Sequence, residues 1–375
     1  MRKFLVRSWM ALAALGLCFG SGRAATVYTG DVIDGVRVVS TLDVSDLDAG
    51  KAYRFLFQGV EMATGQHWYV PVMVAKGAKP GKRVLISAGV HGDELSPTDV
   101  AQRAFAELDP AAMSGTVLTV LDIGRPAMEQ IQRKWPTPIW GGKLLDLNRV
   151  WPGREDGNIA QRQSWLVWNR LFKGNVDAAL DFHTGATGTD FALFIFADLR
   201  KNENRTLAEL FPVAQIKDDP GLEGTLETAL VEAGIPAITP EVGGGRSFDR
   251  AKIDACVEGV RNVLAHYGVT QAKVGRTSKE SGAFVGNDLE VIRAAQGGYV
   301  ETIAPVGQKV TQGAKVAIQR NSFGDVVQEY KAGVDGVVAI LTTDALVEPG
   351  SRIVEILTHA ETCEKDGCPY DENDD

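Results

Sequence analysis

Between residues 83 and 248 the chain alternates short apolar runs with longer segments in which apolar residues recur every three or four positions. Runs of the first kind predict strands at 84–88, 117–123, 178–182, 193–197 and 235–239. Segments of the second kind predict helices. One begins at Ser96-Pro97, read as an N-cap followed by proline at the first helical position, and continues through Val100, Ala101, Ala104, Phe105 and Leu108. Two more are predicted over 162–172 and 249–266. Alternating strands and helices predict an α/β sheet. Residues 26–75 read as further strands leading into it, through Val27, the run 36–39 and the run 68–74.

Beyond about residue 270 the helical period disappears, and glycine, valine and short alternating runs take over. Gly298-Tyr299-Val300, Val310 and Gly313 to Val316 recur as Asp335-Gly336-Val337, Val347 and Gly350 to Ile353, an offset of 37. Two similar β units predict a small all-β domain with pseudo-twofold symmetry. The repeat resembles barrel-sandwich domains of the biotinyl/lipoyl type. The Met-Lys-Met-like hairpin of a swinging-arm lysine is absent, so Lys331 reads as an ordinary surface lysine.

At 375 residues the chain exceeds one ordinary core, which predicts two folding units or a large α/β unit with an appendage. Ordinary apolar and charged fractions, 45% and 23%, exclude a mainly disordered, collagen-like or multi-spanning membrane protein. A net charge of −9 argues against non-specific nucleic-acid binding, which needs a basic face.

That charge is unevenly placed. Residues 1–24 carry Arg2, Lys3, Arg7 and Arg23 and no acid. An apolar run over 9–20 and then Ser-Gly-Arg-Ala-Ala complete the layout of a secretory signal peptide. The run is short for a membrane span; a buried helix or an anchor is the alternative. Cleavage after Ala24 puts Gly22 and Ala24 at the small-residue positions, and Leu17 before Cys18 argues against lipidation. The mature protein is therefore expected in the periplasm or secreted, with no stable membrane anchor. The other end, 359–375, is an acidic tail expected to be solvated and mobile. Within it Cys363 and Cys368 are expected to close a disulfide loop in an oxidising compartment, a metal site being the rival. Cys256 reads as a buried thiol. The predicted organisation is a signal peptide at 1–24, a catalytic domain at 25–270, a β domain at 271–358 and the tail.

Three predicted strands end in chemically capable residues. The first runs into Gly-Val-His91-Gly-Asp-Glu94, another into His183-Thr-Gly, and the last into Pro-Glu241-Val-Gly-Gly-Gly. Ligands bind beyond the carboxyl ends of strands in α/β sheets, so the three clusters can converge. Imidazole and carboxylate are zinc ligands, and catalytic zinc sites use three protein ligands. His91 and Glu94 offer a short-spaced pair, with His183 as the candidate third; the alternative is two structural histidines capping loops. Asp181 lies on the same side of its strand as His183 and is either an acceptor orienting that imidazole or a carboxylate satisfied by backbone. Asn148-Arg149, before Trp-Pro-Gly, is suited to a substrate carboxylate, or else Arg149 forms a structural salt bridge. Glu241 is placed as a general base and acid. His67, His266 and His359 read as structural or surface residues. Serine-hydrolase, nucleotide-triphosphatase and dinucleotide-binding fingerprints are missing.

In order, Gly89-Val-His91-Gly-Asp-Glu94, Asp146-Leu-Asn148-Arg149-x-x-Pro152-Gly153, Asp181-Phe-His183-Thr-Gly and Glu241-Val-Gly resemble the motifs of the succinylglutamate desuccinylase/aspartoacylase family. The resemblance implies an α/β fold with a zinc-carboxypeptidase-like mixed sheet flanked by helices, and a C-terminal β domain. It implies one Zn2+ ion on His91, Glu94 and His183, with Glu241 as catalytic carboxylate. Asn148 and Arg149 would bind the free carboxylate of the substrate, and Arg133 would polarise the scissile carbonyl. Two departures stand out: the long aromatic segment after Arg133 (Trp-Pro-Thr-Pro-Ile-Trp), and an export signal where the family's named enzymes act in the cytosol. The expected activity is hydrolysis of an amide in a small carboxylate-bearing substrate such as an N-acyl amino acid. The alternatives are a carboxypeptidase-type enzyme acting on cell-wall peptides and a zinc-stabilised binding protein without turnover.

Overall fold

The computed structural model describes residues 25–365 and 367–370. The basic start and apolar run of 1–24, and the acids at 366 and 371–375, lie outside the described residues. None of the described helices is long and apolar enough to cross a membrane.

The chain opens with β1 (Val27–Ile33), β2 (Val36–Thr41), β3 (Lys51–Glu61), β4 (His67–Lys76) and β5 (Lys79–Ser87). Then come α1 (Ser96–Ala106), β6 (Ser114–Val120) and α2 (Arg125–Met128). The aromatic segment after Arg133 folds into a hairpin, β7 (Trp135–Thr137) with β8 (Lys143–Leu145). Next follow α3 (Ile159–Val167), β9 (Ala178–Asp181), β10 (Thr189–Phe191), β11 (Leu193–Ala197), α4 (Asn202–Glu209), β12 (Gln215–Asp218), α5 (Leu226–Glu232), β13 (Ala237–Val242) and α6 (Arg250–His266). The last third is β14 (Phe284–Gly286), β15 (Asp288–Arg293), β16 (Gly298–Thr302), β17 (Lys309–Val310), β18 (Lys315–Arg320), β19 (Val326–Lys331), β20 (Gly336–Thr342), β21 (Leu346–Val347) and β22 (Arg352–Thr358).

Eleven strands form one mixed sheet, in the order β1-β2-β3-β4-β6-β5-β9-β13-β11-β12-β14. Its centre, β5, β9 and β13, is parallel. A strand covered on both faces must be apolar throughout, not alternating. Val84, Leu85 and Ile86 of β5 and Ala178, Ala179 and Leu180 of β9 are accordingly buried. One face packs on α1, α4 and α6 through Val100, Leu207, Val257 and Val260. The other packs on α3 and α5 through Ala160, Val167, Leu226 and Leu230. These two cores hold the carboxyl ends of β5, β9 and β13 side by side, where the chemically capable residues lie.

Some boundaries differ from the sequence reading. Ser96 is not a cap: Leu95 is already helical, and the Ser96 hydroxyl instead donates to the Ser247 carbonyl at 2.8 Å. The helix expected over 162–172 begins at Ile159 behind an Asn158–Gln161 capping box and ends in a π-helical turn, Trp168–Phe172. The strand expected to stop at 239 continues to Val242, because β11 pairs with it as far as Leu193–Val242. Asp249, at the start of the last helix, caps it by accepting from the amides of Ala251 and Lys252.

The repeat of 37 residues is visible as structure: β16, β17 and β18 correspond to β20, β21 and β22. Each short strand pairs with the other unit's first strand, β17 with β20 and β21 with β16. The units therefore enclose a common core of Val300, Val316, Val338, Ile353 and Ile356. This β region is stitched to the large sheet in both directions. β14 closes the large sheet, so a boundary at residue 270 falls before that sheet's last strand, while β10 pairs with β20. Phe191, Phe194, Leu289, Ile340 and Leu357 fill the seam.

The tail corrects the sequence reading most. Its described acids, Glu361 and Glu364, are exposed as expected, but the segment is held down at Cys363, Cys368 and Tyr370. Cys363 is buried and disulfide-bonded to Cys368. The buried Lys217 ammonium donates to the Cys368 carbonyl at 2.6 Å, and the Tyr370 amide donates to Asp219 at 3.1 Å. The local excess of acids hid a segment whose contacts are made by its backbone and by one aromatic ring.

Candidate metal centre and active-site cavity

His91 and Glu94 sit on the turn between β5 and α1. The turn is pressed against the α2 backbone, so a Cβ on Gly92 would lie 2.0 Å from the Ala127 carbonyl carbon. Glycine is the residue that permits this approach. His183 follows β9 and continues alongside β13: its amide donates to Pro240, and its carbonyl accepts from Val242. Glu241, expected just past its strand, lies inside β13 in register with His183.

Ligand atoms of His91, Glu94 and His183 lie within 4.8 Å of one another, and all three residues are buried. His91 Nδ1 is 2.6 Å from Glu94 Oε1, and His183 Nδ1 is 2.9 Å from Glu94 Oε2. The far nitrogen of each ring meets a carboxylate. His91 Nε2 is 3.1 Å from Asp146 Oδ1, and His183 Nε2 is 3.1 Å from Asp181 Oδ2. The Ser87 hydroxyl donates to the other oxygen of Asp181 at 2.7 Å. A carboxylate accepting from Nε2–H leaves the Nδ1 lone pair free to face a cation, the usual outer support of a metal-ligating histidine. Two imidazole nitrogens and a carboxylate, so supported, fit a zinc ion.

The same buried groups shift one another's protonation. Burial works against charge on His183 and His91, but the carboxylates around them raise both, His183 well above the ordinary range. Burial likewise opposes ionisation of Glu94 and Asp146, yet the neighbouring imidazoles, with Arg133 and Arg149 beside Asp146, hold both carboxyls below the usual range.

One cavity gathers His91, His183, Glu241, Arg133, Asn148 and Arg149. The seventh sequence-predicted residue, Glu94, joins them through its contacts with His91, His183 and Arg133. Two of them carry duties the sequence did not reveal. Arg133 donates to Glu94 Oε1 at 2.9 Å, and Asn148 Oδ1 accepts from the Leu226 amide at 2.9 Å. Sequence reasoning passed over Asp146, whose place in the Asp-x-Asn-Arg run was a usable signal. It also passed over Asp219, Glu227 and Tyr370, which line the cavity from the residue after β12, from α5 and from the tail. Tyr370 stacks on Phe196, ring centroids 5.3 Å apart.

Residues 80–267, half the chain, match the family model described as the succinylglutamate desuccinylase/aspartoacylase catalytic domain. The chain is 27% identical over 297 residues to an N-alpha-acetyl-L-2,4-diaminobutyric acid deacetylase of Halomonas elongata, covering 76% of this chain and 85% of that protein. A succinylglutamate desuccinylase of Pseudomonas paraeruginosa is 28% identical over 184 residues, spanning about half of each, 45% of this chain and 52% of that one. In fold, the product-bound ectoine utilization protein EutE (DoeB) of Ruegeria pomeroyi is similar with a TM-score of 0.73 at 22% identity, covering 83% of this chain and 97% of that one. A Rhodobacter sphaeroides structure described as succinylglutamatedesuccinylase/aspartoacylase gives 0.71 at 21%, covering 84% and 98%.

Proposed function

The chain belongs to the succinylglutamate desuccinylase/aspartoacylase family, and we propose that it is an exported, zinc-dependent hydrolase that removes an acyl group from the nitrogen of a small carboxylate-bearing substrate such as an N-acyl amino acid. The observation that carries the reading is one cavity holding a zinc-type donor set, a buried carboxylate and two arginines. The names of the relatives, a deacetylase and a desuccinylase, point to the same reaction class. We read the large sheet as a zinc-carboxypeptidase-like one on the same footing.

His91, Glu94 and His183 would hold the ion, which supplies Lewis acidity and makes water a stronger acid. Asp146 and Asp181 hold the two rings in the tautomer that presents Nδ1. Glu241, 4% exposed in the cavity wall, takes a proton from the attacking water and returns it to the leaving amine. Arg149 binds the substrate carboxylate as a planar fork, assisted by the amide nitrogen of Asn148. Arg133, held on Glu94 Oε1 and lining the cavity, is placed to donate to the scissile carbonyl oxygen as charge develops there. Export is read from residues 1–24, and the Cys363–Cys368 disulfide is suited to an oxidising compartment.

The test is a hydrolysis screen of zinc-loaded protein over N-acyl amino acids and short peptides with free C-termini. Turnover of the acyl amino acids, about one zinc per chain, and loss of 10²-fold or more in kcat for Glu241→Gln with zinc retained are expected. Peptides as the better substrates would make it a carboxypeptidase. Stoichiometric zinc with no hydrolysis would make it a binding protein.

A further inference from the structure

Glu94, Asp146 and Asp181 each answer a histidine. Besides Glu241, two further carboxyls line the cavity. Asp219 is also answered: Lys217 Nζ lies 3.0 Å from it, and the amides of Gly221 and Tyr370 donate to it. Glu227 is different. It is 8% exposed, and the side-chain hydrogen bond it receives is a 3.2 Å one from the Thr228 hydroxyl to Oε2. Among the described residues no lysine, arginine or histidine pairs with it, and the charges it feels, Asp219, Asp181 and Asp198, are negative. Burial and those acids together push its carboxyl up to about 8. A buried carboxyl without a counter-charge costs stability. Such a group is explicable where a ligand brings the missing charge.

Its position is set relative to Arg149, which lines the same cavity. The Asn148 side chain accepts from the amide of Leu226, the residue before Glu227. The Trp151 amide donates to Gly224 at 2.9 Å. Gly224, at φ +86°, lies so close to Arg149 that a Cβ there would be 2.5 Å from the Arg149 carbonyl oxygen. The loop carrying Arg149 and the start of α5 are thus one rigid unit. It presents a cation for an anion and an anion for a cation.

We propose that Glu227 is the receptor for an ammonium group, and that the substrates of this site are N-acylated diamino acids, with the carboxylate on Arg149 and the side-chain amine on Glu227. This rests on the hydrolase reading above. It predicts selectivity by charge within one shape, because a neutral chain of equal length leaves Glu227 unpaired.

The test compares Nα-acetyl derivatives of ornithine and of norleucine, equal in length but differing in charge, on the wild-type enzyme and on Glu227→Gln. The wild type should favour the ornithine derivative at least tenfold in kcat/KM. Glu227→Gln should shrink that ratio at least tenfold, mainly through KM. A wild-type enzyme indifferent to the charge overturns the proposal. So does a ratio that survives in Glu227→Gln, or an equal loss on both substrates. Calorimetry with free ornithine and norleucine decides the matter without turnover. Ornithine binding at pH 7 should release about 0.9 proton from the wild type, following from a carboxyl near 8 that ionises when paired, and none from Glu227→Gln. Failure of hydrolysis with this binding difference intact would refute the hydrolase reading alone. Equal binding of both amino acids would refute the ammonium site alone.

Discussion

Residue by residue, the site is built from pairs in which one side chain determines what another can do. Asp146 and Asp181 exemplify this, since each holds a ring nitrogen and so aims the other. Asp181→Asn is therefore expected to lower zinc affinity about 10- to 100-fold, measured by competition with a chelator, while the fold is kept. Asp146→Asn should act similarly. Glu227 supplies a pH prediction. Its folded value, about 8, lies above the ordinary 4.5, so the folded chain binds the proton more tightly than the unfolded one. The protonated carboxyl contributes most to stability below about pH 4.5, and that contribution is lost as pH rises towards 8. Thermal melting of Glu227→Gln relative to wild type should therefore move in the variant's favour between those limits. A gap that stays constant with pH would contradict it. The sequence exposed the ligands because they punctuate strand ends in short motifs. It did not expose Glu227, which looks like any acid in the first turn of a helix until the fold buries it.

At the scale of elements, the tail is the instructive case. Residues 361–370 read as polar coil, yet they deliver Tyr370 to the cavity wall, stacked on Phe196 beneath the Arg352 guanidinium. The disulfide closes the loop that precedes this ring, and Lys217 holds its carbonyl. Reduction of the disulfide, or Tyr370→Ala, is expected to raise KM several-fold with a smaller change in kcat, because the wall is lost but not the chemistry. An unchanged KM in both would detach the tail from the site. Strand and helix identities were legible along most of the chain because their apolar periods are long. Their ends were less so. β13 outran its predicted end because its partner strand continued, and Ser96 lost its capping duty because Leu95 before it already has helical backbone angles.

Across the whole molecule, the β region is not a detachable appendage. β14 belongs to the large sheet, β10 to the β region, and a shared seam of phenylalanine, leucine and isoleucine lies between them. Calorimetry should accordingly show one cooperative unfolding transition; two separable ones would mean that the stitches are weak. From its residues alone, the chain specified the α/β class, the repeated β units, the order of the motifs and the seven residues that gather at the site, six of them lining the cavity. These are local quantities: periods, spacings and residue chemistry. Only the tertiary structure decided that Arg133 rests on Glu94, that Asn148 ties down α5, that an acidic tail lines the site, and that Glu227 stands buried without a cation. Each of these depends on which distant segments the packed sheet brings within about 3 Å, and no local pattern encodes a separation in space.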